Sequence, residues 1–347
     1  MSPLQAGVTM APSWREQAVN SVVQGIYARH PGLSERFGER GVTKCGDDIR
    51  HHLDCLDSAL MAGEAALFTN YAHWLKGVLN SRGVPIAHLA ESFDLLASFL
   101  EAQLPAVQAQ PMGVILGAAQ AALARDDLPS PHLFARRPAL PDAMRYMETA
   151  LRGDNKESLG LMHGAMQAGV TLTEASVRLI QPAMVEIGRL WQENRISVSQ
   201  EHLASAISQN VMARAYLHAD FALPVGRKAM FAGVAGNHHS LGLRMLSDAF
   251  ETQGWDVVFL GADVPVADLI RQVDADRPDL LCLSLSLPGH LAQTKETIER
   301  LRAELGNRCP PIWVGGQVTL MSDRVWHSVK ANGWATDALH ALEQIAA

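Results

Sequence analysis

Residues 228 to 265 read KAMFAGVAGNHHSLGLRMLSDAFETQGWDVVFLGADVP. The run opens on an apolar strand-like stretch, KAMFAGVAG, passes through SLGLRMLSDAFETQG with apolar residues at helical spacing, and returns to strand in WDVVFLG. The alternation continues downstream: helix in VADLIRQVDADRP, strand in DLLCLSLSLP, helix in TKETIERLRAELG, strand in PPIWVGG, then helices in DRVWHSVKANG and TDALHALEQIAA. Strands that are apolar throughout and separated by helices imply a parallel sheet covered on both faces. Residues 226–347 are therefore expected to form a doubly wound, Rossmann-like α/β domain with flavodoxin-type strand order. Ligands of such sheets sit beyond the carboxyl ends of the strands. That rule selects four loops: GNHHSLG (236–242), GADVP (261–265), SLPGH (286–290) and GGQ (315–317).

Two common occupants of this architecture do not fit these loops. A phosphate-receiver domain needs an aspartate at the end of the third strand, where this chain has Ser284 and Ser286. A dinucleotide site needs G-x-G-x-x-G after the first strand, and GNHHSLG has the wrong spacing, with imidazoles that would block close approach of a pyrophosphate.

Upstream of the α/β segment the periodicity is helical. Residues 1–135 are expected to form an all-α domain: the apolar spacing of LDSALMAGEAALFTNYAHWLKGVLN runs on to NSRGVP, where Gly83 and Pro85 end the helix, and ESFDLLASFLEAQL and PMGVILGAAQAALA follow. A proline-rich linker, LPSPHLFARRPALP (128–141), leads into residues 140–222. These read as four helices, DAMRYMETALRG, NKESLGLMHGAMQAG, TEASVRLIQPAMVEIGRLWQ and VSQEHLASAISQNVMARAYLHAD, whose short connections imply an antiparallel four-helix bundle. Asp154, Thr173 and Ser197 are the expected caps, and Pro182 should kink the third helix.

The 347 residues are 48% hydrophobic and 19% charged, with a formal charge of −7 spread along the chain. No clustered Lys/Arg face is present, so direct DNA binding is not expected. The sequence has neither a signal-peptide pattern nor an apolar run near the ~20 residues that span a bilayer, and a cytoplasmic location is expected. Cys45, Cys55, Cys282 and Cys309 lack metal-ligand spacing and read as packing residues, Cys282 within a strand.

Taken together, Asn237, His239 and Gly242 after strand one, Ser284 after strand three, with Ser286 where leucine is usual, and Gly315–Gly316 after strand four resemble the signature of the cobalamin-binding domain family, D-x-H-x-x-G, S-x-L and G-G. The resemblance spans about 110 residues in the same order and includes the GADVP run. It implies that His239 supplies an imidazole nitrogen to cobalt as the lower axial ligand, displacing the cofactor's own base. His238, at the variable position, would be a solvent-facing neighbour. Gly242 would keep the helix start open for the displaced nucleotide tail, a serine hydroxyl would bond to it, and Gly315 and Gly316 would let backbone approach it. Asn237 departs from the family's aspartate and carries no charge, so a softer His–cobalt bond is expected, shifting affinity by at most ~10- to 100-fold.

A second resemblance lies in the preceding helices. Trp191, nine residues, then Glu201 and His202 is similar to the W-x(9)-E-H motif of CarH-type adenosylcobalamin photoreceptors, in which these residues and a small apolar residue matching Val198 shape the pocket over the upper cobalt face. The resemblance implies a non-enzymatic light sensor: light breaks the cobalt–carbon bond of adenosylcobalamin, and cap or subunit contacts change. Where the CarH proteins have a histidine after the tryptophan, this chain has Gln192. The helical N-terminal segment resembles that of photocobilins, which pair cobalamin with a bilin such as biliverdin; His51, His52, Tyr71, His73 and Trp74 are the residues that would hold a linear tetrapyrrole. The expected partners are further copies of the chain, assembling in a light-dependent way, and an output protein the sequence does not identify. The alternative is a corrinoid methyl-carrier subunit of a methyltransferase, which shares the helical cap and the lower-ligand histidine.

Overall fold

A computed structural model describes residues 12–125, 137–321 and 324–346. The chain divides into two compact units, Met1–Pro131 and His132–Ala347.

The first unit holds α1 (Pro12–Arg29), α2 (Gly32–Ala62), α3 (Ala65–Ser81), α4 (Ile86–Gln103) and α5 (Ala106–Leu123). The helices close around Leu53, Leu56, Phe68, Phe93, Leu96, Met112 and Leu116, all buried. One expectation is corrected here. The apolar pattern of 53–79 does not belong to one helix, because Gly63 takes a left-handed conformation (φ 62°), and the Gly63 and Glu64 amides donate back to Leu60 and Ala59. A glycine in that conformation ends a helix without a Cβ penalty, and α3 restarts two residues later in nearly the same phase, so spacing alone runs the two together. Most of the proline-rich linker, 128–136, lies outside the described residues.

The second unit opens with α6 (Ala143–Leu151), α7 (Asn155–Gln167), α8 (Leu172–Ala175), a π-helical turn (Ser176–Ile180), α9 (Gln181–Gln192) and α10 (Val198–Tyr216). These share one core built on Tyr146, Met162, Leu179, Ile180, Ile187, Val211 and Met212. Asp154 caps α7 through the Glu157 amide, and Ser197 forms a capping box with Gln200 at α10. Thr173 is not a cap: Thr171 takes that role with Glu174, and Thr173 is buried inside the first turn. Pro182 produces a widened turn rather than a simple kink. Proline has no N–H and its ring collides with the carbonyl four residues back; here that carbonyl, on Arg178, is turned away and accepts the Leu140 amide at 2.7 Å.

The α/β part follows as β1 (Lys228–Val234), α11 (Leu241–Thr252), β2 (Asp256–Val264), α12 (Val266–Asp276), β3 (Leu280–Ser284), α13 (His290–Leu305), β4 (Ile312–Gly315), α14 (Val325–Ser328), β5 (Gly333–Ala335) and α15 (Ala338–Ala346). All pairings are parallel and the order is β2-β1-β3-β4-β5, the flavodoxin-type order. β1 and β3 are buried along nearly their whole length, which explains their unbroken apolar sequence, and Cys282 lies in that core. Two expectations change. The stretch read as a helix over 323–333 is helical only at Val325–Ser328 and ends in a fifth strand of three residues, too short to show a period. GADVP is not simply a loop: β2 runs through it to Val264, with register shifts against β1. Helical and α/β parts meet on α11, whose Met245 joins the helical core, while Val177 packs with Ala249 and Ala338.

Candidate functional site

The expected site residues gather where β1, β3 and β4 end. Asn237 follows β1 and is completely buried. Its Nδ2 donates to the Ser284 carbonyl at 2.9 Å, with the Ser284 hydroxyl at 3.4 Å, while its Oδ1 accepts the His239 amide at 3.1 Å. A carbonyl on one side and an N–H on the other fix which way the carboxamide points. Asn237 Oδ1 then lies 3.2 Å from Nδ1 of His239, and because that oxygen only accepts, Nδ1 carries the proton. The Nε2 lone pair is left available, as a neutral imidazole ligand requires.

The loop is anchored from below as well. Gly236 donates its N–H to the Asp263 carboxylate at 2.7 Å, and the Asp263 amide donates to the Asn237 carbonyl at 3.0 Å. The His239 ring reaches solvent, yet partial desolvation holds its pKa below the usual imidazole value; Glu201 pulls the other way and His238 adds to the lowering. His239 is thus kept neutral near pH 7. His238 is exposed, as expected.

Ser284 and Ser286 are buried at the end of β3. The glycines divide by cause. A Cβ on Gly316, where φ is 113°, would lie 2.2 Å from the Leu285 carbonyl oxygen, and one on Gly315 would lie 3.3 Å from the Ala335 oxygen. The Gly316 position thus requires glycine within the protein itself, apart from the room expected for a nucleotide tail. Gly242, in the first turn of α11, is the opposite case: a Cβ there would meet nothing within 4 Å. Nothing in the protein demands its glycine, which fits a bound group passing over that turn.

On the helical side, Trp191 ends α9 and Val198, Glu201 and His202 occupy the start of α10, so one connection brings the four to the same end. Glu201 is held by Ser205 Oγ at 2.9 Å and by His202 Nδ1 at 2.6 Å, and it lies near enough to His239 to favour the protonated ring. The His202 ring itself is exposed. The Glu201 carboxylate, on the helical part, thus acts electrostatically on His239. One residue escaped the sequence reading: His290, the first residue of α13, reaches back onto the Ser286 and Leu287 amides.

The five residues considered for a bilin lie in the other unit, on α2 and α3. His52 is buried, with Nδ1 2.8 Å from the Tyr71 hydroxyl and Nε2 3.4 Å from Ser92 Oγ, and both rings pack with Phe68 or Phe93. Burial, and then the neighbouring His51, push the His52 pKa down to about 3. His51 is exposed; His73 keeps a buried Nδ1 without a hydrogen-bond partner, and Trp74 is half-buried beside Tyr71.

Among the described residues no helix is long and apolar enough to cross a membrane. Residues 227–343 match the B12 binding domain family, and residues 144–216 match a second family of the same description. The HTH-type transcriptional repressor CarH of Myxococcus xanthus is 35% identical over 142 residues, 40% of this chain and 45% of the repressor. CarA of the same organism is 35% identical over 125 residues, 35% of this chain and 41% of that protein. The chain thus matches less than half of the length of either relative. The Methanosarcina barkeri monomethylamine corrinoid protein has a similar fold, with a TM-score of 0.51 at 18% identity over 58% of this chain and 96% of that one. Residues 144–216 and 227–343 thus match B12 binding domains, which supports cobalamin binding, and part of the chain is similar to CarH and CarA.

Proposed function

We propose that the chain is a cobalamin-dependent light sensor in which His239 is the lower axial ligand and the Trp191–Glu201 end of the helical part forms a cap over the upper face. The observation that carries this reading is the buried Asn237, held by Ser284, whose Oδ1 keeps the His239 Nδ1 protonated and leaves Nε2 available to a metal. The identity to CarH favours the adenosyl form of the cofactor. Bound adenosylcobalamin supplies a cobalt–carbon bond that visible light breaks. Asn237 fixes the tautomer and direction of the His239 ring, and Gly242 leaves room beside the first turn of α11.

Trp191, Val198, Glu201 and His202 shape the space the upper group occupies, and Ser205 and His202 hold the Glu201 carboxylate in place. The signal leaves through the helical part, which is seated on α11 by Met245 and Val177, so a change in what the Glu201 end covers acts against a fixed contact. Such an element is biased by the ligand state of its site. Its output is self-association of the chain or a change in a partner contact.

The test is an absorption spectrum with adenosylcobalamin, in the dark and after green illumination, coupled to size measurement. A spectrum converted by light together with a change in assembly supports the sensor. A light-inert chain that accepts and donates a methyl group instead favours the second reading, a corrinoid methyl carrier, which the fold shared with the monomethylamine corrinoid protein keeps in view. A bilin in the first unit is a separate proposal, tested by adding biliverdin and looking for a red-shifted band.

A further inference from the structure

We propose that Asp263, at the end of β2, is a positioning residue that sets the loop carrying His239, rather than a solvated carboxylate at a strand end. The inference rests on the reading of His239 as the cobalt ligand, but every contact in it is made within the protein. Asp263 is exposed and holds φ 52°, in the left-handed region. A residue with a side chain stays there only when its surroundings hold it, and aspartate is among the few that tolerate it. The cause lies in the sheet. From the pair Ala232–Gly261 to the pair Val234–Val264, β2 spends three residues where β1 spends two, and Gly261 takes φ 81°. An extra residue of this kind bends its strand and re-aims side chains. Here it brings both the amide and the carboxylate of Asp263 to the loop after β1.

Those two groups grip consecutive residues. The carboxylate accepts the Gly236 amide at 2.7 Å, and the Asp263 amide donates to the Asn237 carbonyl at 3.0 Å. The two strands approach closely at this point: a Cβ on Gly233 would lie 3.1 Å from the Ala262 Cα and 3.3 Å from the Asn237 carbonyl oxygen. Gly236 itself takes φ 83° and, as a glycine, resists rotation least, so its direction has to be set from outside. Asn237 is held at its side chain by Ser284, and its Oδ1 meets His239 Nδ1. Its backbone is thus fixed from β2 and its side chain from β3, which leaves one direction for Oδ1. Without the Asp263 carboxylate the Gly236 peptide is free to turn, and the His239 ring loses its reference.

The test uses the full chain labelled with nitrogen-15, without cofactor, and reads the ring tautomer of His239 by nuclear magnetic resonance together with amide exchange at Gly236 and along β3. The parent is expected to show His239 as the neutral Nδ1–H form. Asp263→Gly accepts the left-handed conformation freely and keeps the amide that donates to Asn237, so it removes the carboxylate alone. It is expected to average the His239 tautomers and to exchange the Gly236 amide about tenfold faster, with β3 unchanged. Asp263→Asn keeps an acceptor in the same place and tolerates the same backbone, so it should retain the parent's tautomer and its slow exchange. A parent already averaged, a glycine chain with the Nδ1–H form intact, or an asparagine chain averaged as fully as the glycine one overturns the proposal. Exchange that speeds up equally in β3 overturns it too, since Asp263 would then only stabilise the sheet. Cob(II)alamin added to the parent separates the two readings. A nitrogen splitting that histidine labelling does not alter defeats the ligand reading, while the cofactor-free measurement still decides the role of Asp263.

Discussion

Replacing Asn237 by aspartate restores the residue that cobalamin-binding domains usually carry, yet the structure predicts a less stable chain near and above neutral pH. Asn237 is fully buried and donates to the Ser284 carbonyl at 2.9 Å. An ionised aspartate puts an acceptor against an acceptor there. Its other oxygen would gain, since bonds from the His239 amide and ring would become charge-assisted, worth about 1 kcal/mol each over neutral ones. Against that stand an unmet buried acceptor, about 1–3 kcal/mol, and the desolvation of a charge, several kcal/mol. The loss wins, and the acid avoids most of it by staying protonated and donating to Ser284.

The folded-state pKa of the introduced carboxyl therefore lies above its ordinary value of ~3.9. A carboxyl raised in this way contributes its stability fully below the unfolded pKa and loses it as pH rises through the folded value. The Asn237→Asp chain should match its parent at pH 4 and fall about 1–3 kcal/mol below it by pH 8. Urea midpoints of the β1 and β3 segments, read by pulsed hydrogen exchange at both pH values on the cofactor-free protein, check this. An aspartate variant as stable as the parent at pH 8 would show that the charge-assisted bonds outweigh the buried, unmet acceptor, and the balance drawn above would fail.

The two kinds of glycine give opposite outcomes. Gly316→Ala drives a Cβ to 2.2 Å from a carbonyl oxygen at a left-handed φ and should cost more than about 2 kcal/mol in thermal unfolding of the cofactor-free chain. Gly242→Ala meets nothing and should leave that unfolding unchanged or slightly raised, while weakening cobalamin binding in a titration followed by absorbance. In the first unit, His52 is a buried histidine whose pKa is lowered from 6.5 to about 3. Such a group costs nothing above its unfolded pKa and draws the chain toward unfolding as pH falls from 6.5 toward 3, with a ceiling of about 5 kcal/mol. Amide exchange of α2 and α3 should show this acid opening, and His52→Gln should flatten it.

The parallel sheet was legible because buried strands carry an unbroken apolar run and the helices between them do not. The site loops followed from it, since the ends of parallel strands converge whatever the side chains. What escaped the sequence was local and geometric. Gly63 interrupts an apolar pattern whose phase resumes almost unchanged in α3, and Gly333–Ala335 is too short to have a period. The turn ahead of Pro182 depends on the Arg178 carbonyl finding the amide of Leu140, a residue far back in the chain that no local pattern links to it.

His52 and Tyr71 illustrate a different limit. Nothing in the sequence links a histidine and a tyrosine nineteen residues apart, and the 2.8 Å bond between them is visible only in the structure. His290 is the converse case. Four residues past Ser286 in a loop already selected, it gave no spacing signal, because its partners are backbone amides and not side chains. Asn237 could be noted as a departure, but the reason for it lay in the Ser284 carbonyl, which no side-chain pattern records.

The sensor reading of this chain depends on His239 Nε2 binding cobalt. Cob(II)alamin bound to the full chain and examined by electron paramagnetic resonance reads that bond. A threefold nitrogen splitting is expected that becomes twofold when histidine is labelled with nitrogen-15; the labelled His238→Ala chain keeps the twofold pattern and the labelled His239→Ala chain loses it. A twofold pattern that survives in the labelled His239→Ala chain, or a parent splitting that histidine labelling does not alter, would rule His239 out as the ligand.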